Sequence, residues 1–172
     1  MKKILTILLP ITLLGKIYLL PYEKDKALKE IVHNIRISKN SIKGAIYAFT
    51  NKTIAKELKK AAARGVKIEL IFDKEYNLNK IEKSMLFYLA KYKNIEIYLL
   101  QGKPYKKSGK KGIMHIKAMI FDGKRVILGS ANWTYSAFNN NYETIYSIKE
   151  YKIAKKFEKY YDMMKRESIK FK

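Results

Sequence analysis

The sequence contains no cysteine, which excludes disulfide frameworks, thiolate metal sites and a cysteine nucleophile, and leaves the redox compartment unread. Histidine is nearly absent too. His33 and His115 are the only two, too few for a histidine metal centre, and no paired carboxylates stand at ligand spacing to replace them. No metal or other cofactor is therefore expected. No segment repeats another. Acidic residues number 15 against 37 basic ones, for a formal net charge of +22. Such a chain is predisposed toward polyanions, whether nucleic acid or an anionic membrane surface. However, 33 of the 37 are lysine, and isoleucine, asparagine and tyrosine are also abundant. A proteome-wide compositional bias produces the same profile, so clustering of charge carries more weight than its total.

The length, 172 residues, suits one domain with a proper core. Residues 1–20 read as a targeting segment, with Lys2 and Lys3 preceding an apolar run of twelve residues from 4 to 15. No small-x-small cleavage site follows. A removed export signal and an uncleaved membrane anchor continuing through Leu20 both fit, and a buried N-terminal strand and helix is the structural alternative. The reading divides the chain into this segment and a domain over residues 21–172, working outside the cytoplasm: periplasmic, secreted or held at the cell envelope.

Within the body, apolar periodicity predicts helices at 24–38, at 51–63 with Asn51 or Thr53 as cap, at 77–91 and at 151–169. Strands are predicted at 41–50, 66–72, 95–100 and 142–148. Strands separated by helices of this length imply an α/β fold with a mixed, mainly parallel sheet and helices on both faces.

The most informative stretch is 115–134, H-I-K-A-M-I-F-D-G-K-R-V-I-L-G-S-A-N-W-T. Residues 113–121 are predicted as a strand, on which His115 and Lys117 share a parity and so a face. Asp122-Gly123 is a hairpin turn signal. A second strand over 125–128 runs into Gly129-Ser130-Ala131-Asn132. The hairpin thus gathers an imidazole, a cation, a hydroxyl and an amide about one small anion, which is phosphate chemistry.

The pattern H-x-K-x-x-x-x-D (His115, Lys117, Asp122), then G-S-x-N (Ser130, Asn132), with Glu143 eleven residues beyond, resembles the HKD motif of the phospholipase D superfamily. The looser match spans about residues 17–165. It looks most like the small bacterial nucleases of that superfamily, which carry one motif per chain. The resemblance implies hydrolysis of a phosphodiester through a phosphohistidine on His115, without a metal. Lys117 and Asn132 would hold non-bridging oxygens, Ser130 would add a donor, and Glu143 would orient the imidazole. Asp122 is more simply a residue that caps the hairpin turn. A lone histidine on an apolar strand is ordinarily a satisfied core residue, but five matching partners argue otherwise here.

Family members use two motif histidines, one as nucleophile and one as acid for the leaving oxygen. His33 lacks a lysine two residues on and falls on a predicted helix, so it reads as structural or surface. The missing acid is then expected from a second copy, in a homodimer with one shared site. Residues 101–112, Q-G-K-P-Y-K-K-S-G-K-K-G, are predicted as an irregular loop beside His115. Lys103, Lys106, Lys107, Lys110 and Lys111 would neutralise phosphates there and Tyr105 would stack on a base, although a lysine-rich loop is usually only solvated. Nucleic acid, DNA foremost and RNA as well, is the leading substrate class, with little sequence preference. An anionic phospholipid such as cardiolipin, met at a membrane through residues 1–20, is the second. A non-catalytic polyanion-binding protein is the third, and the intact motif argues against it.

Overall fold

The computed structural model describes residues 15–171, which form one eight-stranded sheet flanked by helices. In chain order these are β1 (Gly15–Leu20), α1 (Lys24–Ile37), β2 (Ser41–Ile46), α2 (Lys52–Ala63), β3 (Lys67–Asp73), α3 (Lys74–Leu78), α4 (Leu86–Leu89) and β4 (Ile95–Leu100). They continue with β5 (Lys117–Phe121), β6 (Arg125–Gly129), α5 (Tyr135–Asn139), β7 (Glu143–Ile148), α6 (Tyr151–Glu167) and the short β8 (Ile169–Lys170). The strands lie in the order β1-β7-β6-β5-β2-β3-β4-β8.

The α/β expectation holds, as do helices on both faces. Apolar residues of α1, α2, α4 and α5 pack with Ile42, Ile46, Leu70, Phe72 and Met119 on one face. Ala154 and Tyr161 of α6 pack with Ala45, Ile71, Ile120 and Val126 on the other. The alternating parity of each strand divides the core in this way.

The expectation of a mainly parallel sheet is corrected. Only β2, β3 and β4 run parallel, whereas β5, β6, β7 and β1 form an antiparallel meander on β2, and β8 adds antiparallel to β4. The tight turn at Asp122-Gly123, with φ of 49° and 62°, forces the reversal after β5.

The division at residue 20 is corrected as well. Residues 15–20 are a strand paired along its whole length with β7, and Leu20 is buried. The Tyr18 hydroxyl donates to buried Glu30 at 3.0 Å, and Lys16 Nζ does so at 3.1 Å. The folded domain therefore includes β1. The rest of the expected targeting segment, residues 1–14, lies outside the described residues, and no helix among those described is long and apolar enough to cross a membrane.

The single helix expected over 77–91 is replaced by two short ones, α3 and α4. Asn77 is buried, donating to the carbonyls of Tyr47 and Asp73 at 2.8 Å each and accepting from Ser84 Oγ at 2.8 Å. These ties, with Met85 N on Phe49 O at 2.9 Å, hold the segment against the loop after β2 and override helical periodicity.

Candidate active site

Strand directions decide what can meet. β2, β3 and β4 end at Ile46, Asp73 and Leu100, at the same edge where β5 begins, β6 ends and β7 begins. The residues that follow or precede those termini therefore share one rim of the sheet. His115 stands two residues before β5, Lys117 opens it, Ser130 and Asn132 follow β6, and Glu143 opens β7. Lys117 has the parity of Met119 and Glu143 that of Ile145, so both project on the α1–α2 face.

The strand expected over 113–121 begins only at Lys117, so His115 stands just ahead of it. The segment is pinned by Asp73, whose Oδ2 accepts from Met114 N at 2.9 Å while Oδ1 caps α3 through Tyr76 N. The His115 ring is solvent-facing on one side and meets Tyr47 edge-on, with centroids 4.8 Å apart. Tyr76 packs tilted against Tyr47, with centroids 4.7 Å apart. Lys117 is almost fully buried, its Nζ donating to His115 O at 2.8 Å and lying 5.3 Å from the Tyr47 centroid.

Electrostatics follow from this packing. Burial and then the Lys117 ammonium pull the His115 imidazole below its ordinary value, against the carboxylates of Asp73 and Glu143. Neutral imidazole, the nucleophilic form, is thereby favoured near pH 7. Burial also lowers Lys117, with Glu143 opposing. An incoming phosphate supplies the negative charge that restores the ammonium.

The arm carrying Ser130 and Asn132 is strapped down by Trp133, which donates N–H to Ala48 O and accepts from Thr50 N and Asn51 N. Gly129 is required where β6 passes β7, since a Cβ there would stand 2.0 Å from Thr144 O. Ser130 Oγ donates to Glu143 Oε2 and accepts from Thr144 N at 3.0 Å. Glu143 thus braces Ser130, and among the described residues it makes no hydrogen bond to His115. The Asn132 amide oxygen is buried without a partner. Rotating that amide by half a turn presents an N–H donor at the same point, and an orphaned polar atom on the rim that holds Lys117 is what an anion site needs.

The expectation for Asp122 changes. Asp122 lies at the opposite end of β5, about 17 Å from Lys117 at strand rise. Its carboxylate accepts from Lys39 N, Asn40 N and Ser41 N at 2.8–3.0 Å. It clamps the α1–β2 connection rather than the hairpin turn, and it cannot reach the site. Residues 101–112 hold neither helix nor strand, as expected, but Pro104 and Lys111 pair in an isolated antiparallel bridge that closes the loop on itself. Tyr105, Lys106, Lys107, Lys110 and Lys111 are exposed, and Lys103 is drawn to Glu167 at 2.5 Å. Sequence reasoning missed Tyr47, Tyr76 and Asp73. Tyr47 follows β2, Asp73 ends β3 and Tyr76 lies on α3, and no sequence spacing ties any of them to His115.

Among the described residues no group of three or more histidine, aspartate or glutamate side chains is gathered as a metal site requires. His33 sits on α1 nine residues beyond Lys24, about 14 Å along the helix, and takes no part.

The fold and this constellation are those of a phosphoryl-handling α/β domain. A family model described as "Cardiolipin synthase, PLD-like domain" matches residues 31–165, and the chain belongs to the phospholipase D superfamily. The solved structure of NucT from Helicobacter pylori is similar, with a TM-score of 0.88 and 39% identity over 91% of this chain and 98% of that one. Among curated proteins, a phospholipase D of Rickettsia prowazekii (strain Madrid E) is 30% identical over 129 residues, 75% of this chain and 58% of the relative. The mitochondrial cardiolipin hydrolase of Xenopus laevis is 24% identical over 140 residues, 81% of this chain and 61% of the relative. The chain spans about three fifths of the length of these curated relatives.

Proposed function

We propose that this chain is a phosphodiester hydrolase acting on nucleic acid, DNA or RNA, with little sequence preference and without a metal. The observation that carries the reading is one rim holding an exposed imidazole biased to its neutral form, a buried cation and an unpartnered amide. In this reading the His115 imidazole attacks phosphorus and one P–O bond breaks. Lys117 and Asn132 hold the non-bridging oxygens, where negative charge grows. The leaving oxygen takes a proton from His115 of the partner subunit. Water then attacks the phosphohistidine, activated by that same imidazole, and frees His115.

A second copy is invoked because this chain has one motif histidine and His33 is remote. The exposed Tyr22 and Tyr142, whose rings lie 6.1 Å apart beside Glu143, offer surface for that contact. Export or anchoring through residues 1–20, with membrane association in the anchored case, belongs to the same proposal. Nucleic acid is preferred on the exposed lysines of residues 101–112 and the excess of base over acid.

A second reading keeps the chemistry and replaces the substrate with an anionic phospholipid such as cardiolipin. The names carried by the Rickettsia and Xenopus relatives favour it.

The test is purified chain with plasmid DNA, or with cardiolipin vesicles, in excess chelator beside His115→Ala. Cleavage of DNA by the wild type, lost by about 10³-fold or more in the variant, is expected. Activity restored only by added metal contradicts the metal-free reading, and vesicle hydrolysis without DNA cleavage selects the phospholipid one.

A further inference from the structure

A groove of about 450 Å³ opens on the α1–α2 face, between the start of α1, the start of α2 and α5. Its lining includes Lys24, Lys52, Thr50, Thr53, Tyr135 and Phe138. No part of the chemistry above uses it, but its wall and the catalytic arm are one unit. The Trp133 carbonyl that follows Asn132 accepts the amides of Thr50 and Asn51 at 2.9 Å each. Tyr135 is three residues past Asn132, so their Cα atoms lie within about 11 Å.

The groove combines three features. Lys24 Nζ is held at the rim by Asn139 Oδ1 at 2.8 Å, and Lys52 stands exposed on the facing helix. Among the described residues neither ammonium is in an ion pair, and Asp25 is the one carboxylate in the lining. Tyr135 presents a ring that is 72% exposed. Phe138 and Leu28 supply apolar lining. The amides at the start of α2 do not make the anion site, since Asn51 Oδ1 already accepts from Thr53 N and Ile54 N. Cations flanking an exposed aromatic ring, over an apolar bed, are what binds a nucleotide without reading its identity.

We propose that this groove is the subsite for the nucleotide next to the scissile phosphate, its base on Tyr135 and its phosphate between Lys24 and Lys52. The inference rests on the phosphodiesterase reading and deepens it, placing a polynucleotide across the α1–α2 face rather than only along residues 101–112. An acyl chain would find apolar lining there too, but no use for two ammonium groups.

The experiment measures binding of a fluorescein-labelled single-stranded 12-mer to the full chain by anisotropy across a salt series, with cleavage followed in parallel. Lys24→Ala/Lys52→Ala should raise Kd about tenfold and flatten the log–log salt slope by about 0.7, the value for one phosphate no longer neutralised on a single strand. Tyr135→Ala should raise Kd about tenfold with the slope kept, and Tyr135→Phe should restore binding. The ratio of kcat/KM for the 12-mer to that for bis(p-nitrophenyl) phosphate should fall about tenfold in the double variant. Unchanged Kd and slope in the double variant overturn the proposal, as does equal loss in Tyr135→Phe and Tyr135→Ala. Loss of cardiolipin-vesicle binding in these variants, with oligonucleotide binding intact, overturns it in favour of lipid. A wild type that binds the 12-mer through these residues but never cleaves it sinks the hydrolase reading alone. Cleavage with unmoved Kd sinks the groove alone.

Discussion

The two ends of the antiparallel half of the sheet hold charged residues in opposite states. At the Asp122 end the carboxylates of Asp122 and Glu30 are fully answered. Asp122 takes three backbone amides, and nearby Glu30 accepts from Lys16, Tyr18, Asn34, Arg125 and Ser147. At the His115 end, buried Lys117 has one carbonyl partner and Asn132 keeps an orphaned amide oxygen. Both ends contain residues of one motif. Satisfied polar groups build the fold, whereas unsatisfied ones await a ligand.

The largest effect should come from the unsatisfied end. Lys117→Met is expected to lower kcat by about 10²–10³-fold, the loss typical of one transition-state donor, with thermal stability kept or raised. Its charge also depresses the His115 pKa. Activity that needs neutral imidazole is lost as pH falls through that pKa, so the wild-type acid limb should sit below the ordinary histidine range. The variant's limb should move up toward it. A pH–rate profile for both proteins checks this, and an unmoved limb would erase the contrast between the two ends.

Glu30→Gln should do the converse, harming stability more than chemistry. Burial would raise the Glu30 pKa, but hydrogen bonds from Ser147, Lys16, Asn34 and Tyr18 outweigh it and hold it at about 2. The folded state therefore binds fewer protons than the unfolded one. The contribution, about 3 kcal/mol, is present above pH 4.5 and lost as pH falls from there toward 2. Denaturant titrations at pH 6 and pH 3 should show about 2 kcal/mol of that loss in the wild type and a much smaller one in the variant.

Asp122→Ala, though within the motif, should cost about 2 kcal/mol through the removal of three charge-assisted bonds. A melting curve should fall by about 6 °C, with kcat at 25 °C within about twofold. A collapse of kcat in a folded variant would return Asp122 to the chemistry.

Much of this was legible in the residues. Parity placed Lys117 and the turn at Asp122-Gly123 returned Ser130 and Asn132, because both depend on local periodicity alone. The antiparallel bias of the sheet was not legible, because β5 inserts beside β2 while β1 reaches β7 across more than a hundred residues. β1 itself was obscured by apolar residues that also suit a targeting segment. Its edge position was encoded only in Tyr18, Lys16 and their distant partner Glu30. Tyr47 and Asp73 were invisible for a similar reason, since no spacing in sequence relates them to His115.

The smallest effect concerns Tyr47. Tyr47→Leu removes the edge-on packing against His115 and should lower kcat by about tenfold, the upper end for one aromatic pair. Because burial is the first cause of the depressed His115 pKa, the acid limb should also rise. A fall in kcat with an unchanged limb would make Tyr47 only a packing residue.

The covalent step is best tested by trapping the intermediate. Oligonucleotide with the chain in excess chelator is quenched in alkali within milliseconds, and the digested protein is mapped by mass. A phosphoryl or nucleotidyl adduct on the His115 peptide, absent in His115→Asn, is the predicted result. Turnover in the same mixture with no adduct at any quench time would contradict the covalent mechanism.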